Sequence, residues 1–300
     1  MTLEQLRIFV AVAEREHVTQ GARDINLTQS ATSAAIAALE ARYATKLFDR
    51  IGRRIALTEA GRIFLVEAKA ILVRALAAEK TLTDLAELRR GSLALAASQT
   101  IANYWLPAAI HRYRVAHAGI AIAMTIDNTE GVAALVHEGA ADLGFIEGEI
   151  DDSALTVTPI ARDEMVLIAA AGHPWAEERP SPEALKAGPW VMRERGSGTR
   201  SIFEGALPGL GLAPRDLNVV LELPSNEAVR AAVEAGAGVA VISNLVVANS
   251  LRAGSLVAVD VPLPERRFFS VRHKERYFGR AEQAFLDMID DKPAGVRATP

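Results

Sequence analysis

Residues 18–61, VTQGARDINLTQSATSAAIAALEARYATKLFDRIGRRIALTEAG, constrain this chain more than any other stretch. They set a short helix, a tight turn, a second helix and a basic hairpin in a span too short for an enzyme domain. Thr19 is placed to cap a helix running to about Ile25, Asn26 and Leu27 break it, and the hydroxyl of Thr28 caps the next one. From Gln29 onward Ala31, Ala35, Ala38 and Leu39 recur at helical spacing, which predicts one inward face. The opposite face, with Gln29, Ser30 and Ser33, stays small and polar, as a helix lying deep in a major groove requires. Upstream, Leu6, Phe9, Val10 and Ala13 fall at i, i+3, i+4 and i+7 and predict a first helix that covers the pair.

The hairpin is KLFDRIGRR followed by IALT. Leu47 and Phe48 read as core anchors, and Gly52 can take the positive φ of a tight tip. Arg50, Arg53 and Arg54 surround that tip, and three guanidiniums beside a helix-turn-helix make a phosphate-gripping wing. The expected DNA-contacting residues are therefore Thr28, Gln29, Ser30, Ser33, Arg50, Arg53 and Arg54.

These residues resemble the winged helix-turn-helix of LysR-type transcriptional regulators. LEQLRIFVAVAE, TQSATSAAIAALE, LFDR followed by GRR, and LTEAG stand in the family's order and spacing. Gly21 replaces the family's usual Ala, at a cost of about 1 kcal/mol of helix propensity. Thr32 replaces an apolar residue and puts a hydroxyl near the core. The resemblance implies promoter DNA with an imperfect palindrome as partner, self-association to a dimer or tetramer, and RNA polymerase as a further candidate partner.

Composition agrees with a cytoplasmic regulator. No apolar run reaches the roughly 18 residues of a membrane span, and the start, MTLEQLRIF, lacks the features of a signal peptide. Without cysteine there is no disulfide framework, thiolate metal site or thiol nucleophile. The formal net charge of −4 divides unevenly: residues 1–58 hold eight Lys and Arg against six Asp and Glu, net +2, leaving −6 for the rest.

Residues 59–89 read as one long helix with Thr58 as cap. Phe64, Ile71, Ala78 and Leu85 are seven apart, with Ala68, Ala75 and Leu82 between them, which predicts an apolar seam for a partner helix. The resemblance implies that this linker dimerises. Arg89, Arg90 and Gly91 end it.

Beyond it, short apolar strands alternate with helices. The first run is strand 92–97, helix 101–115, strand 120–126, helix 131–138 and strand 141–146. The second begins at Asp163, with MVLIAAA as strand, SPEALK as a helix capped by Ser181, PWVMR as strand and a helix after GSGT. Strand 218–223, helix 226–235 and strand 238–242 complete it. This rhythm predicts parallel sheets in two α/β lobes. A strand at 266–271 returns to the first lobe, a helix spans 280–289, and 293–300 reads as a disordered tail. The fold class expected is α + α/β: a winged helix-turn-helix over 1–58, the linker helix over 59–89 and a two-lobed domain over 90–300. Lobe 1 takes about 90–161 and 267–292, lobe 2 about 162–266. ADLGF, EAGAGVAVIS and the hinge-like ARDE extend the resemblance here and imply a periplasmic-binding-protein-like effector domain.

Parallel sheets place ligands at the carboxyl ends of strands, where helix N-termini point. Ser98, Gln99 and Thr100, Asn128 and Thr129, Glu147, and Gly196, Ser197, Gly198 and Thr199 meet that description. Hydroxyls, free N–H groups and a helix dipole together suit an anion without a metal. A carboxylate such as Glu147 in an anion site must bind a cationic group, accept from ligand hydroxyls or be protonated. The resemblance places the effector between the lobes at the SQT segment. SQTIANYWLP and RERGSGTR are similar to a branch tied to sulfur oxyanion or carbon-fixation metabolism, implying a sulfur oxyanion or small carboxylate as the small-molecule co-inducer.

Other classes fit less well. No HExxH, GxxxxGK or GxSxG appears, and GAGVAV lacks the rest of a dinucleotide site. The six histidines are scattered rather than set at ligand spacing, so neither catalytic nor metal-ligating residues are expected. A solute-binding protein or an enzyme on the same two-lobed α/β fold is the alternative, and the DNA-reading N-terminus argues against it.

Overall fold

The computed structural model describes residues 1–51, 54–84, 91–148 and 150–290, with the backbone alone at 50, 51, 54, 77 and 80–84. It divides into two compact units, Met1–Leu82 and Thr83–Pro300.

The first unit opens with α1 (Leu3–Arg15), α2 (Val18–Asp24) and α3 (Gln29–Tyr43), followed by a hairpin of β1 (Phe48–Ile51) and β2 (Arg54–Leu57). Thr28 caps α3 as expected, its Oγ1 accepting from the Ala31 N–H at 3.2 Å. The cap of α2 is His17 rather than Thr19: Nδ1 accepts from the Gln20 N–H at 3.3 Å, which starts the helix two residues early. The inward face of α3 is also turned from the predicted one, because Thr32, Ile36, Leu39 and Glu40 are buried while Ala31 and Ala38 are exposed. Burial follows area, and Ile36 and Leu39 outweigh the alanines around them. The Thr32 hydroxyl does lie in the core, buried and without a hydrogen-bond partner.

Glu40 fixes the wing to α3. Its carboxylate accepts from the N–H groups of Leu47 at 2.9 Å and Phe48 at 3.2 Å and from Lys46 Nζ at 2.7 Å. Burial pushes its pKa up, but these donors outweigh burial and hold it below its ordinary value. The hairpin is antiparallel, ending on the pair Ile51 and Arg54. Gly52 and Arg53 lie outside the described residues, as do the side chains of Arg50 and Arg54.

Gly21 is more than a weak helix former. A Cβ there would stand 2.8 Å from both the Ala11 carbonyl oxygen and the Val12 Cα, so α1 and α2 touch backbone to backbone. Propensity alone has Gly21→Ala stabilising by about 1 kcal/mol, whereas this contact makes the substitution destabilising by about 1–3 kcal/mol through overpacking. Urea unfolding of the two proteins decides the sign.

Thr58 caps α4 (Glu59–Asp84), accepting from the Gly61 N–H at 2.9 Å. The apolar seam read from the spacing divides: Phe64 and Ala68 turn inward, whereas Ile71 and Ala78 stay exposed. Ala68 is buried in the core of Leu6, Phe9 and Leu39, and Phe64, Leu65 and Leu72 pack against it. Leu82 carries no described side chain, and Leu85 and residues 86–90 lie outside the described residues. Besides Ile71 and Leu76, an exposed apolar row on α4 runs through Ile63, Val66 and Ala70, continued by the partly buried Val73.

The second unit has two lobes. Lobe 1 is a five-stranded sheet in the order β4-β3-β5-β12-β6, built from β3 (Gly91–Ser98), β4 (Ile120–Asp127), β5 (Leu143–Glu147), β6 (Leu155–Asp163) and β12 (Arg266–His273). β3 runs parallel to β4 and β5, as the alternating pattern predicts, and the returning β12 is antiparallel to β5 and β6. A π-helical turn, Ile101–Trp105, leads into α5 (Leu106–Ala116), and α6 (Thr129–Glu138) and α11 (Arg280–Asp290) complete the lobe.

Lobe 2 departs from the all-parallel expectation. β7 (Met165–Ala170) lies antiparallel between β10 (Ala240–Ser243) and β11 (Leu256–Val259), while β8 (Pro189–Arg193) pairs in parallel with β9 (Asn218–Leu223) and through a single parallel bridge from Trp190 to Val239. The sequence pattern had passed over β6, β11 and the helix α10 (Asn244–Ala253). Helices α7 (Pro182–Ala187, capped by Ser181), α8 (Gly198–Ala206) and α9 (Asn226–Glu234) fall where the pattern put them. Chain crossings between the lobes occur at 163–164 and 260–265. Among the described residues no helix is long and apolar enough to cross a membrane.

Candidate functional site

On the first unit, Thr28, Gln29, Ser30 and Ser33 are all exposed at the start of α3 and along its outer face. The Thr28 and Ser30 hydroxyls are bonded at 3.1 Å, which orients both over the first turn. A small polar face on a capped helix beside a hairpin is what groove reading requires.

In the second unit the strand ends of the two lobes meet in a buried polar cleft. Ser98 ends β3 and donates its hydroxyl to the carboxylate of Glu147, which ends β5. Thr100 stands 3.5 Å from the other carboxylate oxygen and accepts from Asn226 Nδ2 at 3.0 Å. Arg266, at the second crossing, reaches three groups: the Asp163 carboxylate, Thr199 Oγ1 at 2.9 Å and Glu147 Oε1 at 3.6 Å. Ser98, Thr100, Glu147, Thr199, Asn226 and Arg266 are each at most 2% exposed. Gln99 adds a lobe-to-lobe link, its Oε1 accepting from the Asn226 N–H at 2.7 Å.

The cleft thus joins five of the ten residues predicted for it, Ser98, Gln99, Thr100, Glu147 and Thr199. The others stand apart. Asn128 caps α6, its side chain accepting from the Gly131 N–H at 2.9 Å, and Thr129 donates to the Glu147 carbonyl oxygen at 2.8 Å. Gly198 lets that carbonyl approach, since a Cβ would stand 2.0 Å from it. Thr129, Gly196, Ser197 and Gly198 line an open groove outside the cleft. Ser197 shares no hydrogen bond with Ser98, Thr100 or Glu147 and lines the groove instead, so it does not join them as expected. Sequence reasoning missed Asn226, Asp163 and Arg266, and also Arg193, whose buried guanidinium donates to Asn226 Oδ1. The signal for Asn226 was present, in a strand-to-helix junction of the kind used for the other segments.

One side of the cleft is latched. Asn103 Nδ2 and the Tyr104 hydroxyl, both in the π-helical turn, donate to Glu227 Oε1 of α9 at 3.1 and 3.2 Å. Burial, with the nearby Glu227 charge, raises the Tyr104 pKa. Burial also opposes ionisation of Glu227, but its donors prevail and lower its pKa below the ordinary 4.5. The latch is accordingly intact above the carboxylate range and lost as acid protonates Glu227. Not all histidines are idle surface groups: His137 Nδ1 lies 2.7 Å from Asp152, besides the capping role of His17. Among the described residues no group of three or more His, Cys, Asp or Glu is arranged to hold a metal ion.

A winged helix-turn-helix unit and a two-lobed α/β unit with a buried interlobe cleft define a ligand-responsive class of DNA-binding regulator. Residues 3–62 match the family described as "Bacterial regulatory helix-turn-helix protein, lysR family", and residues 86–294 match "LysR substrate binding domain". The chain belongs to the LysR family of transcriptional regulators. It is 37% identical over 298 residues to the HTH-type transcriptional regulator YeiE of Escherichia coli strain K12, covering 99% of each chain. Its fold is similar to that of CbnR in complex with its target DNA, with a TM-score of 0.72 at 19% identity over 96% of this chain and 99% of that one. The regulatory domain of CcmR from Synechocystis PCC6803, in complex with 2-PG, aligns with a TM-score of 0.61 at 26% identity, covering 67% of this chain and 96% of that one.

Proposed function

We propose that the chain reads operator DNA under the control of a small anion bound in the buried interlobe cleft. Residues 1–58 form the DNA-reading domain, 59–89 the dimerising linker and 90–300 the effector-binding domain. In a dimer, Thr28, Gln29, Ser30 and Ser33 of each copy face one half of an imperfect palindrome while Arg50, Arg53 and Arg54 hold phosphates. The effector acts by favouring one lobe arrangement and so one spacing of the two readers.

The observation that carries the ligand assignment is the convergence of the Ser98 and Thr100 hydroxyls and the Arg266 guanidinium on one buried carboxylate, Glu147. Such a donor set suits a compact anion, and the protein fills it with an anion of its own. A sulfur oxyanion or a small carboxylate gains the same donors by displacing that side chain, and the 2-PG complex of the CcmR regulatory domain supports a small ligand in this type of domain. Glu147→Gln keeps the shape and removes the competing charge.

Calorimetric titration of the full chain with sulfite, sulfate and acetate tests this. The variant is expected to bind its preferred anion about tenfold more tightly than the parent, a gain of ~1.4 kcal/mol, while Ser98→Ala binds it more weakly. Failure of every anion to bind either protein, or equal affinity for both, rules out an anion in this cleft and leaves the DNA-reading assignment standing.

A further inference from the structure

Arg193 ends β8 on lobe 2 with its side chain only 5% exposed, and among the described residues that side chain is hydrogen-bonded to Glu194 and Asn226 alone. Nε and Nη2 each donate to the Glu194 carboxylate at 2.8 Å, and Nη1 donates to Asn226 Oδ1. Asn226 is fully buried at the start of α9, where its backbone N–H is pinned to Gln99 Oε1 at 2.7 Å. With the backbone held, the one freedom left to the amide is to exchange its oxygen and nitrogen by turning over in place.

Chemistry fixes which way round it stands. A guanidinium carries donors and no acceptor, so the amide oxygen of Asn226 must face Arg193 and its NH2 group must face lobe 1. There Nδ2 donates to Thr100 Oγ1 at 3.0 Å. A hydroxyl that accepts from the amide keeps its single proton for another acceptor, and Glu147 Oε1 stands 3.5 Å away to take it. With the amide turned over, Oδ1 would claim that proton and Thr100 would show the cleft a lone pair instead.

We propose that Arg193 is a positioning residue that sets the cleft's preference for anions without touching the ligand. It holds the Asn226 amide in one orientation, and the amide holds Thr100 as a donor. The inference takes its ligand from the anion reading above, whereas the orientation exists without one. Thr100 belongs to lobe 1 and Asn226 and Arg193 to lobe 2, so the relay also ties the polarity of the site to this arrangement of the lobes.

Arg193→Lys and Arg193→Gln separate orientation from packing. Lysine only donates and keeps the amide as it stands, whereas glutamine offers either group and lets it turn over. In urea unfolding of the ligand-free full chain, Arg193→Gln and Thr100→Val should be coupled: the folding constant of the double variant is expected to exceed the product of the single effects by about two- to fivefold. Calorimetric titration with sulfite, sulfate and acetate then reads the worth of the Thr100 hydroxyl in each background. Thr100→Val should weaken the preferred anion about tenfold in the parent and in Arg193→Lys, and clearly less in Arg193→Gln. It should have no effect in Asn226→Asp, a variant that strands no buried donor and whose carboxylate already takes the Thr100 proton. Far-UV circular dichroism confirms the fold of each protein, and Asn226→Asp carries the titration alone if Arg193→Gln does not fold. Additive stabilities, or an equal Thr100 effect in all backgrounds, overturn the relay and leave the anion reading standing. Coupled stabilities with no anion bound by any variant overturn the anion reading, and with it the specificity role of Arg193.

Discussion

Replacing Arg266 with Met is expected to destabilise the two-lobed domain by about 3–5 kcal/mol, the range for removing one partner of a buried ion pair. Arg266 is 1% exposed and its fork is shared between Asp163 and Glu147, with Thr199 as a third acceptor. Met fills most of the space but leaves two carboxylates facing each other without a counter-charge. All three tryptophans, Trp105, Trp175 and Trp190, lie in this unit, so urea unfolding followed by their fluorescence reports on it directly. Adding Glu147→Gln to the Met variant should recover part of the loss, because one of the stranded charges is gone. A cost under about 1 kcal/mol, the scale of an exposed pair, would mean that water reaches the site and that the buried charge network contributes little.

Arg266 also marks where the sequence ceased to be informative. Its partner Asp163 is 103 positions away, and an Arg beginning a strand is ordinarily taken for a surface residue. Only the return of β12 beside β6, in register Arg266 to Asp163, turns it inward at the crossing between lobes. Local patterns fared better wherever a single chemical cue decided the structure. Ser181 and Pro182 mark α7, Thr28 marks α3, and the apolar run from Asn218 to Leu223 coincides with β9.

Patterns failed where many small residues left direction open. In α3 and α4 the alanines satisfy several helical stripes equally, and tertiary contacts with Leu6 and Phe9 choose among them. The candidate site shows the same division: strand-end hydroxyls at Ser98 and Thr100 were legible, whereas the cations and amide that complete them come from distant elements. Ser197, sharing a motif with Thr199, faces elsewhere because adjacent residues at a helix start point in different directions.

The corrected stripe on α4 leads to the second large effect. Ile63, Val66, Ala70 and Val73 are spaced three, four and three apart, and this row lies on the side of the helix away from Phe64, Ala68 and Leu72, which pack on the DNA-reading core. Ile63 is 64% and Val66 68% exposed, too much apolar surface in one line for a helix without a partner. In the proposed dimer this row is the contact, each large side chain contributing about 1.5–3 kcal/mol on burial. Val66→Glu places a charge there and is expected to give monomers in sedimentation equilibrium. Operator affinity should fall about 10²-fold or more as the second half-site contact is lost. Ile71, although exposed, lies on the helix beside Phe64, Ala68 and Leu72 rather than in the row, so Ile71→Glu should leave the dimer intact, contrary to the seven-residue spacing read from sequence. An intact dimer in the Val66 variant together with monomers in the Ile71 variant would restore the original seam. Dimers in both would move the self-association surface off this helix altogether.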